Sequence, residues 1–180
     1  MGPMLQDYVM PLPLALVVAV HIACLAASAA VLRSAPSDFP GWRVVGPGGS
    51  HWFCLVGCWA FAMLISWVWL FVGSARHDAE IQMVYALLLI FAFGIASAWS
   101  GFYIVQLRRR ALRWRGTAIR WHERDGDVVE DMGDFDAFRE VFGGALHFRF
   151  RDGAILKLDL HSRNAEDLAA AISQRAGFGV

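Results

Sequence analysis

The stretch Met83–Gly116 reads MVYALLLIFAFGIASAWSGFYIVQL and then RRRALRWRG. Residues 83–107 carry no charged side chain, and the next segment holds Arg108, Arg109, Arg110, Arg113 and Arg115. A helix rises about 1.5 Å per residue, so 83–107 is long enough to cross roughly 30 Å of hydrocarbon. Working outward, Leu12–Leu32 and Trp52–Gly73 have the same length and the same lack of charge. Every acidic and basic residue lies outside these three segments, and up to residue 105 the charged positions are Asp7, Arg33, Asp38, Arg43, Arg76, Asp78 and Glu80. The chain is 57% hydrophobic and 18% charged, against about 45–50% and 25% in soluble domains. The sequence therefore predicts an all-α three-span membrane anchor over 1–107, with spans near 12–32, 52–73 and 83–107, a basic juxtamembrane linker over 108–116, and a water-facing domain over 117–180.

Lys and Arg accumulate on the cytoplasmic side of membrane proteins. The arginines after the third span place the C-terminal domain in the cytoplasm and, across three spans, the N-terminus outside an inner (cytoplasmic) membrane. The tail 1–11 has no Lys or Arg; loop 33–51, with Arg33 and Arg43, is then inside, and loop 74–82, with Arg76, outside. The first span lacks the basic n-region and short apolar core of a cleavable signal, so retention is expected. A net charge of zero gives no footprint for nucleic acid, and none is expected as a partner.

Small residues four apart let helix backbones approach closely in lipid. Ala19, Ala23 and Ala27 form such a line on the first span; on the third, Gly94 pairs with Ala98 and Ser97 with Gly101. These lines serve packing among the three helices or against a partner, either another membrane protein or a second copy. Trp52 at one end of the second span and Trp67 and Trp69 at the other are interfacial anchors by position, while Trp59 is deep enough to face lipid or a neighbouring helix. Solute pathways need broken helices or buried ionisable groups. No proline falls in the middle of a span, and His21 is the one titratable group well inside a span besides the thiols. His21 is the weak candidate for a cofactor or haem ligand; its plainer reading is a neutral imidazole bonded to a neighbouring helix. His51, Cys54 and Cys58 share a helix face at i, i+3 and i+7, a weak candidate metal set short of a fourth ligand. No cofactor is expected.

The basic segment, with Trp114 among Arg108, Arg109, Arg110, Arg113 and Arg115, is the candidate membrane-surface element, each cation contributing on the order of 1 kcal/mol near an anionic leaflet. Beyond Gly116 the periodicity becomes two. Ile119 and Trp121 alternate with Arg120 and His122, Asp125-Gly126 is a hairpin turn, and 127–131 returns. A second hairpin pairs 146–151 with 155–160 about Asp152-Gly153. Between them, 134–141 fits a helical turn or a strand, because Phe135, Phe138 and Phe142 fall at i, i+3 and i+7. Asn164 is an expected N-cap of a last helix with Leu168, Ala171 and Ile172 on its apolar face, ending near Gly177. The segment is a small antiparallel α+β domain.

Strands in hairpins followed by one C-terminal helix resemble the bacterial pleckstrin-homology-like (PH-like) domains that follow membrane spans. The resemblance rests on Phe138-Arg-Glu-Val141, the strand Leu146–Arg151, Asp152-Gly153, the strand Ile155–Leu160 and the helix 164–176, about a third of the chain. It implies a binding or docking module without catalysis. Four or five strands are countable against the family's seven, so the sequence predicts a truncated member.

No nucleophile motif, phosphate-binding glycine loop or cysteine pair occurs in the water-facing part, and His122, His147 and His161 fall on different elements. The reading is a non-enzymatic accessory or scaffold protein that docks to a partner complex or membrane surface. The alternatives are a redox, metal- or haem-handling subunit using the intramembrane His and Cys, and an anionic-lipid sensor acting through the arginine cluster.

Overall fold

The computed structural model describes residues 11–34, 39–72, 79–123, 126–141 and 144–175. The tail 1–10, Arg76 and Asp78 between the second and third helices, Asp125 of the first turn, Phe142, Gly143 and Gly177 lie outside the described residues. The chain divides into two compact units: residues 1–33 with 52–103, and residues 34–51 with 104–180.

The first unit is helical. Helix α1 is Pro11–Arg33, α2 is Gly49–Trp67 and α3 is Ala79–Arg110. The α2 helix continues as a π-helical segment, Val68–Val72, which carries it to the expected end of the second span. All three helices are long and apolar enough to cross a membrane. Only 22%, 17% and 17% of their most apolar windows is buried within the chain, so the remainder needs an apolar solvent or a partner. Leu16, Ile22, Phe53, Phe61, Leu88 and Trp99 are among the large apolar residues left exposed. Val17, Val20, Cys24 and Ile90 form the buried centre of this unit.

The second unit is an α+β domain. Its strands are β1 (Arg43–Val44), β2 (Arg113–Arg115), β3 (Ala118–Glu123), β4 (Gly126–Asp131), β5 (Phe135–Val141), β6 (Ala145–Phe150) and β7 (Ile155–Asp159), followed by helix α4 (Ala165–Arg175). The sheets are antiparallel and ordered β1-β2-β3-β4 and β5-β6-β7. Both hairpins form where period-two alternation predicts them. The ambiguous 134–141 segment is strand β5, entered through a 3-10 turn at Met132–Asp134. Strand pairing decides that ambiguity, since Phe138 lies opposite Phe148 and Phe135 opposite Phe150.

Two features of this unit depart from the sequence reading. Residues 108–116 are not a linker: α3 continues to Arg110, and Arg113–Arg115 is strand β2. The helix stops at Ala111, whose φ of 46° is left-handed and breaks the ladder without a glycine. The domain also does not begin at 117. The segment between α1 and α2 supplies β1, with Arg43 opposite Trp114 and Val44 opposite Arg113. Val45 N–H donates to the Leu112 carbonyl, and Gly46 and Arg163 exchange backbone hydrogen bonds. Gly48 makes the closest approach: a Cβ there would lie 2.0 Å from the His161 carbonyl oxygen, so only glycine fits.

The core joins both sheets to α4. Trp114, Ile119 and Trp121 come from the first sheet, Phe148, Phe150, Leu156 and Leu158 from the second, and Leu168 and Ile172 from the helix. Trp121 stacks on Phe150 with centroids 6.0 Å apart. Asn164 opens α4 at φ 64°. Its side-chain amide donates to the Val44 carbonyl across 2.9 Å, so it ties α4 to β1 in addition to starting the helix.

Candidate functional site: a basic cleft at the end of the third helix

The arginine segment, expected to act as one membrane-facing set, is divided among four environments. Arg108 donates to the Ser34 carbonyl and, at 3.1 Å, to the Ser34 hydroxyl. The Arg113 guanidinium lies 3.7 Å over the Phe39 ring, a cation–π contact, and 3.8 Å from the Asp127 carboxylate. Trp114 is 5% exposed and belongs to the domain core, which corrects its assignment to the headgroup level. A strand alternates its faces, so Trp114 turns inward while Arg115 is exposed. Arg109 and Arg110 remain on the surface at the end of α3.

Arg109 and Arg110 border a cleft of about 680 Å³, within the usual range of ligand sites. Gln106, Arg109 and Arg110, at i, i+3 and i+4 on one face of α3, form one wall, and Leu112 extends it. Trp121, His122 and Glu123 of β3 and Ile155, Leu156 and Lys157 of β7 form the others. The fold explains the opening. Along β3, strand β2 covers only Ala118–Arg120, which leaves the last half of β3 without a strand on that side, and β7 is an outer strand of its sheet.

Three cations, Arg109, Arg110 and Lys157, meet one carboxylate, Glu123, in this cleft. Glu123 is engaged, accepting the Trp121 indole N–H across 2.9 Å. His122 is turned to Asp127, with its Nδ1 2.9 Å from Oδ1. That hydrogen bond lowers the Asp127 carboxyl below its ordinary range, helped by the charges of Arg113 and Arg120. Among the described residues, the side chains of Arg109, Arg110 and Lys157 have no hydrogen-bond or ion-pair partner. The arrangement is an apolar floor under an excess of positive charge.

The intramembrane candidates have partners within the chain. His21 Nδ1 accepts the Trp59 indole N–H at 3.3 Å, so the ring proton is on Nε2, which donates to Ser66 Oγ at 3.0 Å. Ser66 Oγ donates onward to the Ala62 carbonyl at 2.7 Å. Both ring nitrogens are used, and a haem iron or other metal there would break one of these bonds. His51 is arranged likewise: Nδ1 accepts from Gly48 N–H at 3.2 Å, and Nε2 donates to Asp159 Oδ2 at 3.0 Å. Cys54 and Cys58 are free thiols. Among the described residues, no group of three or more His, Cys, Asp or Glu is gathered to hold a metal ion.

Of the helix-packing residues, Ala19 and Ala23 face outward. The buried line of α1 runs instead through Val17, Val20, Cys24 and Val31. Ala27 meets Gly101, where a Cβ would lie 2.8 Å from the Ala27 Cβ; at Gly94 it would lie 2.1 Å from Val20 Cγ1. Ala98 is half-buried. Ser97 Oγ donates to the Leu55 carbonyl at 2.7 Å and the Cys24 thiol to the Gly94 carbonyl at 3.5 Å.

Sequence reasoning missed Lys157, Asp159, the hydrogen bond between Ser66 and His21, and the cleft itself. Lys157 reads as an ordinary outward position on an alternating strand, and only the fold brings it to Arg109 and Arg110. A signal for Ser66 was present, as a polar residue deep in a span requires a partner.

No family model matches the chain, and no curated protein or solved structure is significantly similar to it.

Proposed function

We propose that this chain is a non-catalytic accessory or scaffold protein of the inner membrane, with its N-terminus outside and its α+β domain in the cytoplasm. That domain docks to a partner complex or to the membrane surface and transforms nothing. The observation that carries this reading is the cleft, where an apolar floor and three unpaired cations make a surface for holding an anionic group. The PH-like reading is supported by strand count and order. Among the described residues, seven strands in sheets of four and three, then one helix, are nearer to the full family pattern than to the truncated one predicted. The departure lies in connectivity, since β1 precedes the two spans and β2 follows them.

The exposed apolar helix surfaces support a partner in the membrane, either another membrane protein or a second copy of this chain. The test is extraction of the full chain into native nanodiscs and measurement of particle mass. An assembly of defined stoichiometry is expected. Monomer alone, under conditions that preserve known complexes of the same membrane, overturns the reading.

A further inference from the structure

We propose that the cleft formed by α3, β3 and β7 is a binding site for the headgroup of an anionic phospholipid from the adjoining leaflet. The inference goes beyond the accessory role, because a lipid site stands whether or not a protein partner exists.

The argument starts from α3. Gln106 precedes the last apolar residue of the span, Leu107, and Arg109 and Arg110 follow it by two and three positions on the same unbroken helix. At a rise of about 1.5 Å per residue these side chains stand within about 5 Å of the span's end, which is the headgroup level. The cleft wall thus begins in the last turn of the span. A ligand that enters it from the leaflet keeps its acyl chains in hydrocarbon.

The lining matches the two ends of such a ligand. Arg109, Arg110 and Lys157 supply positive charge, and guanidinium groups form paired hydrogen bonds with phosphate oxygens. Leu112, Ile155 and Leu156 offer apolar surface for the glycerol and first methylenes. Ile155 is 46% exposed, an outward apolar position on an otherwise alternating strand, and an occupant covers it. Glu123, held by its bond to Trp121, offsets one of the three positive charges and leaves the lining net positive. A zwitterionic headgroup brings its own cation against these three and binds less well. Free phosphate satisfies the cations and leaves the apolar surface uncovered.

The test uses the full-length chain, delipidated in mild detergent and titrated with phosphatidylglycerol or phosphatidylcholine, with bound lipid read by native mass spectrometry. Wild type is expected to bind phosphatidylglycerol at least tenfold more tightly than phosphatidylcholine. The R109Q/R110Q/K157Q variant is expected to lose about one to two orders of magnitude in phosphatidylglycerol affinity, with phosphatidylcholine unchanged. An R139Q/R175Q variant, which removes exposed cations elsewhere on the domain, should match wild type. Ile155→Ser keeps every charge and should still weaken phosphatidylglycerol binding several-fold. Equal affinity for the two lipids overturns the proposal, as does a triple variant that loses no more than the control. Displacement of the lipid by millimolar inorganic phosphate assigns the cleft to a soluble anion, and a photo-crosslinker at Ile155 that captures protein in place of lipid assigns it to a protein; either result overturns it as well.

Discussion

His51 at the start of α2 donates its Nε2 proton to Asp159 at the end of β7 across 3.0 Å, while its Nδ1 accepts the Gly48 N–H. The two side chains are 11% and 14% exposed, and the contact joins positions far apart in sequence. Removing the Asp159 carboxylate takes away this bond and the one its Oδ1 accepts from the His161 N–H at 2.9 Å. Asp159→Ala should cost about 1–3 kcal/mol, and Asp159→Asn less, because an amide oxygen still accepts. Thermal unfolding of the full chain in nanodiscs checks this. Equal melting temperatures for wild type and Asp159→Ala would show the contact to be idle.

Gly94 faces Val20 with no room for a side chain. Gly94→Val should destabilise the helical unit by about 1–3 kcal/mol through overpacking, and Val20→Ala should restore part of the loss. Ala23→Val, on an exposed face of α1, should leave the fold unchanged. Titration with a denaturing detergent, followed by tryptophan fluorescence, separates the three variants. A loss at Ala23 equal to that at Gly94 would favour the small-residue line read from sequence.

Glu130 on β4 has its carboxyl pushed up from 4.5 to about 7, first by burial and then by its hydrogen bond to Asp152 and the charges of Asp152 and Asp134. Between those values the folded state binds more protons than the unfolded state. This group's contribution to stability is therefore present at pH 4.5 and lost as pH rises to about 7. Glu130→Gln should flatten the melting temperature across that window and raise it at about pH 8. Asp127 and Asp131, both held below 3.8, act in the opposite sense at lower pH and leave the window clear. A wild-type profile that climbs through the window, unaltered in the variant, would refute the assignment.

The β1–β2 pairing requires the segment between α1 and α2 to lie on the same side of the bilayer as the C-terminal domain. Single cysteines at Ser50 and Arg139, both exposed, should react with an impermeant maleimide from one side only, and from the same side, in a background lacking the native thiols. Reaction from opposite sides is incompatible with the sheet.

Trp114 separates the two readings of the arginine segment. Trp114→Ala should cost about 3–5 kcal/mol, as for a large core aromatic, while Arg115→Gln should change stability little. A headgroup-level tryptophan would instead leave domain stability intact and weaken membrane partition.

The spans were legible because hydropathy and length suffice for them, and the two hairpins because alternation at period two is continuous over five or six residues. Strand β1 was not. Two residues inside a proline- and glycine-rich loop carry no period, and their partner lies beyond two spans. Strand β2 was masked by its composition: Arg113-Trp114-Arg115 does alternate, but three residues among other arginines read as a topology signal. The small-residue lines located Gly94 and Gly101 and misplaced Ala19 and Ala23, because spacing identifies a face of a helix without saying which face meets a neighbour. The cleft was invisible for a related reason. Its cations come from the end of a span and from a strand some 50 positions later (157 against 109 and 110), and neither is unusual where it stands.

The split of one sheet across a membrane hairpin has a consequence for biosynthesis. Val44 leaves the ribosome long before Arg113, with two helices long and apolar enough to cross a membrane between them. The β1–β2 pair closes only when those helices return the chain to the side where β1 waits. A chain that misplaces the hairpin leaves uncovered the edge of β2 that faces β1, an open edge of the kind that aggregates. Fragments of the tail alone lack β1 and should prove fragile for the same reason.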